Sequence, residues 1–149
     1  MPQHSEVRIL PYAPAQIFAL VQDVRAYPQF LPWCQGARVY DERDGVFTAD
    51  VLIGYKMIRE TYTSRVHCEH PGRIMVEYLS GPFNHLRNTW DFIQLDGNRC
   101  EVRFFIDFEF RSVLLRRVAS AVFFEVVRRM VSAFEARAHV LYGSADHIT

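Results

Sequence analysis

Along this chain the hydrophobic period changes decisively at Arg111-Ser112, from two to about 3.6, and that change restricts the architecture more than any other feature. Before it, Cys100, Val102, Phe104, Ile106, Phe108 and Phe110 alternate with Glu101, Arg103, Asp107 and Glu109. A strand with one apolar and one charged face belongs to an antiparallel sheet that buries a single side. After it, Leu115, Ala119, Val122, Phe123, Val126, Val127, Met130, Phe134, Ala138 and Leu141 fall on one broad helical stripe that runs to about Tyr142. Roughly thirty residues at 1.5 Å each predict a helix about 45 Å long. A sheet with one greasy face and a long helix with one greasy stripe can satisfy each other, which predicts an α+β fold.

Earlier segments fit this scheme. Ser5 to Leu10 reads as a first strand, and Pro14 to Val21 as a short helix with proline at its start and Ile17, Phe18, Leu20 and Val21 on one face. The period becomes two from Ala37. Strands are predicted at 46–55, 57–67, 73–79, 85–95 and 100–110, most of them separated by Asp44-Gly45, Pro71-Gly72, Gly81-Pro82 and Asp96-Gly97 turns. No linker, repeat or low-complexity tract divides residues 1–149, so a single domain is expected.

Seventeen basic and seventeen acidic residues cancel, so no global field draws the chain to nucleic acid or to a membrane. Cys34, Cys68 and Cys100 are an odd set without C-x-x-C spacing, which predicts a reducing compartment. The first residues lack a leader's basic and apolar blocks, and no apolar run is long enough to span a bilayer, so a cytoplasmic location is expected.

The segment Ala26-Tyr-Pro-Gln-Phe-Leu-Pro-Trp-Cys34 stands apart. Pro28 and Pro32 each fix their own φ and are expected to push Tyr27 and Leu31 out of helical geometry, holding Tyr27, Phe30, Leu31 and Trp33 in a stiff arrangement. Such a segment suits the cover of an apolar cavity, contact with a bilayer, or a structural loop.

The string YPQFLPWC, with Ser64-Arg-Val66, Gly81-Pro-Phe83, Leu86, Trp90, Phe108-Glu-Phe110 and Arg128-Arg-Met-Val131, resembles the coenzyme Q-binding START-like family. That family lies within the wider polyketide cyclase/dehydrase and lipid-transfer superfamily and includes a ribosome-association toxin group. The resemblance implies a helix-grip fold: a curved antiparallel sheet wraps a long C-terminal helix and leaves an internal apolar cavity. It further implies that ubiquinone is held as a bound lipid rather than as a catalytic cofactor.

Strand parity supplies candidate walls. Ala49, Val51, Ile53 and Tyr55 should face inward from the third strand, and Tyr62, Ser64 and Val66 from the fourth. Ile74, Val76 and Tyr78 should follow from the fifth, with Leu86, Asn88, Trp90 and Phe92 from the sixth and Val102, Phe104, Ile106 and Phe108 from the last. The expected ligand-binding set takes Val51, Ile53, Tyr55, Tyr62, Ser64, Leu86, Asn88, Trp90, Phe104, Ile106 and Phe108 from these walls and adds Phe83, the helix residues Phe123, Val127 and Met130, and Tyr27, Phe30, Leu31 and Trp33 of the proline-rich segment. Tyr55, Tyr62, Ser64 and Asn88 are the candidate partners for a polar head, although a packed core with satisfied hydroxyls would read the same.

The strand residues assigned inward include no carboxylate or histidine, so a general acid or base is hard to place, and the expected activity is non-enzymatic. No metal site is expected at His67-Cys68-Glu69-His70, because alternate strand residues point to opposite faces. The leading expectation is binding and delivery of a polyprenyl quinone to respiratory or quinone-biosynthesis enzymes at the inner face of a membrane. The alternative is association with the large ribosomal subunit, blocking subunit joining. Arg116, Arg117, Arg128, Arg129 and Arg137 could meet anionic lipid or ribosomal RNA, although a solvated helix face would look alike.

Overall fold

A computed structural model describes residues 3–55 and 58–143. The elements in chain order are β1 (Gln3–Leu10), α1 (Pro14–Gln22), a 3₁₀ helix (Val24–Gln29), β2 (Cys34–Arg43), β3 (Val46–Tyr55), β4 (Ile58–Glu69), β5 (Arg73–Ser80), β6 (Phe83–Gln94), β7 (Cys100–Phe110) and α2 (Val113–Tyr142). Seven strands form one antiparallel sheet in the order β1-β7-β6-β5-β4-β3-β2. Irregularities in pairing at Cys34/Gly36, Tyr40/Arg43, Thr63/Ser64 and Phe83/His85 bend it. The expected sheet and helix are therefore present, the sheet curving around α2.

Local chemistry accounts for the boundaries. Asp44 and Gly45 both have positive φ, 51° and 79°, as the tight turn between β2 and β3 requires. Ser112 caps α2, its Oγ accepting from the Leu115 amide at 3.3 Å. The far end is tied down by the Tyr12 hydroxyl, which donates to the Gly143 carbonyl at 2.8 Å, and by the Tyr142 hydroxyl, which donates to the Gln16 carbonyl at 2.9 Å. These bonds fasten the C-terminal part of α2 to the α1 region, where Phe18 and Val21 are buried beneath it.

The prolines act differently from the sequence expectation. Tyr27 and Pro28 both lie inside the 3₁₀ helix. The Tyr27 carbonyl accepts from the Phe30 and Leu31 amides, so Pro28 sits at the start of a second turn, where a missing N–H costs nothing. The Cys34 amide then bonds to the Leu31 carbonyl. This winding turns Leu31 inward, leaving it 2% exposed.

Candidate ligand cavity between the sheet and the long helix

Along α2 the buried face changes character. Phe134 and Ala138 pack into the main core, whereas Ala119, Val122, Phe123, Val126, Val127 and Met130 border a cavity of about 130 Å³. Opposite them stand Phe83 and Leu86 of β6, Ile106, Phe108 and Phe110 of β7, Ile58 and Tyr62 of β4, Ile53 of β3, and Trp33. The cavity wall draws on two clusters of buried side chains. One is the large cluster around Phe18, Trp90 and Phe134, and the other is a smaller group of Ile58, Phe83, Leu86, Phe110 and Ala119. Among the described residues, only Trp33 and Tyr62 bring polar side-chain N or O atoms to this wall. Apolar voids of this kind stay dry and accept hydrocarbon.

A second chamber of about 70 Å³ shares Tyr62, Leu86 and Ile106 with the first. It adds Tyr27, Val51, Ser64, Asn88 and Trp90 among its lining residues and is the more polar of the two. Two of its polar groups are already engaged. Asn88 Nδ2 donates to the Phe105 carbonyl at 2.8 Å, and Asn88 Oδ1 accepts from Trp90 Nε1 at 3.3 Å. The Tyr27 hydroxyl donates to the Val21 carbonyl. Tyr62, at the junction of the chambers, is the expected head partner with the most direct access to both. Burial drives its phenol pKa well above the ordinary value, helped by the Cys34 thiol, so it remains a neutral hydroxyl. Burial likewise pushes the Cys34 thiol up to about 11, which keeps it protonated and unreactive.

The backbone presses these groups into place. The Trp33 carbonyl accepts from the Gly54 amide at 2.8 Å, fixing the end of the proline-rich segment to β3. On the opposite side Gly81, with φ 143°, lies so close to β4 that a Cβ there would sit 2.7 Å from Tyr62 Cβ. Among the described residues, the Trp33 indole Nε1 is buried without a hydrogen-bond partner.

The family model described as polyketide cyclase / dehydrase and lipid transport matches residues 10–135. This chain belongs to that family. The ribosome association toxin RatA of Escherichia coli is 37% identical over 144 residues, covering 97% of this chain and 91% of the toxin. The mitochondrial coenzyme Q-binding protein COQ10 homolog B of Xenopus laevis is 34% identical over 148 residues, 97% of this chain and 61% of that protein. Among solved structures, the 18 kDa protein CC1736 from Caulobacter crescentus is 38% identical with a TM-score of 0.77, covering 97% of this chain and 100% of its own. The Zhui aromatase/cyclase from Streptomyces has a TM-score of 0.81 at 17% identity, over 92% of this chain and 93% of its own. It shares the fold.

Within this polyketide cyclase and lipid transport fold, the sequence-derived wall is largely assembled. Trp33, Ile53, Tyr62, Phe83, Leu86, Ile106, Phe108, Phe123, Val127 and Met130 border the larger chamber, and Tyr27, Val51, Ser64, Asn88 and Trp90 the smaller. Leu31 and Phe104 do not line either chamber. Leu31 is wound into the core by the turns around it, and Phe104 packs against Trp90 at a ring distance of 4.6 Å beside a separate small void. Phe30 lies on the outer side, against Phe134, with the Arg137 guanidinium 5.3 Å from its ring centre. The side chain of Tyr55 falls outside the described residues. Sequence reasoning missed Ile58, Phe110, Ala119, Val122 and Val126 as cavity wall, although the last three stood on its helical stripe. Leu141 also stood there but is exposed, while Val131, which was not assigned to the stripe, is buried.

The expected lack of inward ionisable groups needs correction at β1. Register places His4, Glu6 and Arg8 beside Ile106, Phe104 and Val102, so this edge strand directs charges toward α2. Glu6 pairs with His4 and Arg8, and Arg8 reaches Glu135 of α2 at 2.7 Å. Glu6, Arg8 and Glu135 border the small void beside Phe104, and none of the three is among the described residues of the main cavity wall. They latch the helix to the sheet edge. Burial alone would raise the Glu6 pKa, but the His4 and Arg8 contacts outweigh it and hold the carboxyl below its ordinary 4.5. The stabilisation is fully present above 4.5 and is lost as pH falls through the lower folded value. Glu6→Gln should therefore flatten the acid limb of a stability profile below that pH, measured by urea unfolding. An unchanged acid limb would remove Glu6 from the latch.

Elsewhere, His67 meets Glu77 at 2.9 Å while His70 stacks edge-on against Phe18 at 4.9 Å, so the His67–His70 side chains diverge. Among the described residues, no group of three or more His, Cys, Asp or Glu side chains could hold a metal. No described helix is long and apolar enough to cross a membrane.

Proposed function

We propose that this protein binds a neutral lipid with a prenyl-type tail and a small polar head, of which a polyprenyl quinone such as ubiquinone is the leading example. The carrying observation is the apolar chamber joined at Tyr62 to a smaller, more polar one. The relative named as a coenzyme Q-binding protein supports the quinone. The chambers are smaller than the roughly 300–1,000 Å³ typical of ligand pockets. They would hold the head and the first part of the tail, and the remainder would extend beyond the chambers. The protein acts as a carrier rather than an enzyme, because the wall of its main chamber offers hydrocarbon, an indole and a neutral phenol.

Delivery would take place at the inner face of a membrane, to respiratory or quinone-biosynthesis enzymes. Phe30 and Pro32 share an outer groove with Arg128, Arg129 and Glu125, combining apolar surface with a net positive charge. Leu31 takes no part in this surface, since it is buried. Arg129 is tied to Glu125 at 2.7 Å, one helical turn away.

A second reading, association with the large ribosomal subunit, is favoured by the 37% identity to the ribosome association toxin and by the exposed Arg128 and Arg129. One experiment addresses both. Protein purified without detergent is extracted for lipid mass spectrometry, then tested for flotation with anionic liposomes and for cosedimentation with large ribosomal subunits at physiological salt. The carrier reading expects a copurifying or saturably binding prenyl lipid and liposome flotation that weakens in Phe30→Ala. Cosedimentation that is lost in the Arg128→Glu, Arg129→Glu double variant and falls steeply with salt, with no lipid bound, favours the ribosomal reading instead.

A further inference from the structure

The indole of Trp33 presents an unfilled hydrogen-bond requirement. Its ring borders the larger chamber, its backbone carbonyl is fixed to the Gly54 amide, and Nε1 is buried without a partner among the described residues. Buried polar groups in folded proteins are almost always paired, and a buried tryptophan N–H usually finds an acceptor. The other tryptophan follows that rule, because Trp90 Nε1 donates to Asn88 Oδ1 at 3.3 Å. The rest of the large chamber offers little to Trp33. Its wall is aliphatic and aromatic apart from Tyr62, and that phenol is kept neutral by its surroundings.

We infer that Trp33 is a ligand-binding residue whose indole N–H donates to an uncharged oxygen acceptor, a carbonyl or ether, on the head of the bound lipid. This rests on the lipid-binding reading and sharpens it. The ligand is then selected by an acceptor as well as by its hydrocarbon, because a lipid without one leaves the N–H unpaired. Seating the head beside Trp33 also brings it near the junction at Tyr62, which can supply a second donor. The Trp33 N–H thereby sets where the head stops, while the walls from Ile53 to Met130 accommodate the tail.

The test uses the full chain labelled with ¹⁵N and two probes of equal tail length, a short-chain ubiquinone and a prenylated benzene without ring oxygens. The chain has two tryptophans, and the indole signal of Trp90, already bonded, serves as the internal reference. The expected result is a downfield shift of the Trp33 indole proton with the quinone and none with the hydrocarbon. Trp33→Phe should weaken the quinone about 5- to 100-fold, as loss of a buried hydrogen bond implies, and the hydrocarbon about twofold or less. Equal weakening of both probes, with no selective indole shift, overturns the inference and leaves the lipid reading standing. Should wild type bind neither probe, the lipid reading falls and the inference with it. If Trp33→Phe does not fold, the indole shift of wild type decides alone.

Discussion

Ala119→Phe is expected to abolish measurable lipid binding while leaving the fold intact. Ala119 is 5% exposed, sits on the buried face of α2, and borders the cavity along with Phe110 and Phe123. The phenyl ring added there enters space already empty rather than space occupied by neighbours, so the overpacking penalty of a full core does not apply. It displaces the part of the tail that the chamber would hold. Each methylene excluded from burial forfeits about 0.8 kcal/mol. Losing four or five therefore corresponds to roughly 100- to 1,000-fold in affinity. Thermal unfolding should be unchanged or shifted upward, since filling a cavity is a recognised route to added stability. Val51→Trp, aimed at the smaller chamber where Val51 is only 4% exposed, should instead cost stability, and so makes a poorer probe. Wild-type affinity in a well-folded Ala119→Phe protein would show that the lipid does not occupy this cavity.

The period of two and the period near 3.6 were enough to place β3, β7 and α2, because each buries one continuous face. β1 was readable as a strand from its alternation, but the face it buries was not. Its apolar residues Val7 and Ile9 are 59% and 56% exposed, while the charged Glu6 and Arg8 face the helix. An edge strand that guards itself with inward charges inverts the hydropathy rule. β6 begins at Phe83, two residues earlier than the pattern suggested, because the pairing irregularity between Phe83 and His85 disturbs the alternation there. Leu31 escaped for a different reason. Proline restricts φ but does not decide which side of a turn faces the core, and the bonds from the Phe30, Leu31 and Cys34 amides decide it. The cavity itself has no sequence signature. Ile106 and Phe108 would read identically in a solid core, and only their partial exposure beside a wholly buried Cys100 on the same strand marks where the helix stops filling the space.

Gly81→Ala should be among the most destabilising single substitutions available, costing about 2–6 kcal/mol. Two effects combine. A φ of 143° is a conformation that side chains rarely adopt, and forcing it costs about 1–3 kcal/mol. The added Cβ would also meet Tyr62 Cβ at 2.7 Å and Tyr62 Cα at 2.9 Å, and these are near the backbone rather than at the end of a flexible chain. Relief requires β4 to move, at a further cost of about 1–3 kcal/mol. Two other glycines separate these contributions. A Cβ at Gly97 meets nothing within 4 Å but φ is 66°, so Gly97→Ala reports the backbone cost alone. Gly72 has open space and no unusual φ, so Gly72→Ala should be neutral or slightly stabilising. In urea unfolding the midpoints should fall in the order Gly72→Ala, Gly97→Ala, Gly81→Ala, with the last well below the others. Because Gly81 bears on Tyr62, the residue shared by the two chambers, the same variant should weaken lipid binding more than its loss of folded protein explains. If Gly81→Ala and Gly97→Ala prove equally stable, the turn after β5 does not press on Tyr62, and the junction of the chambers must be held by other contacts.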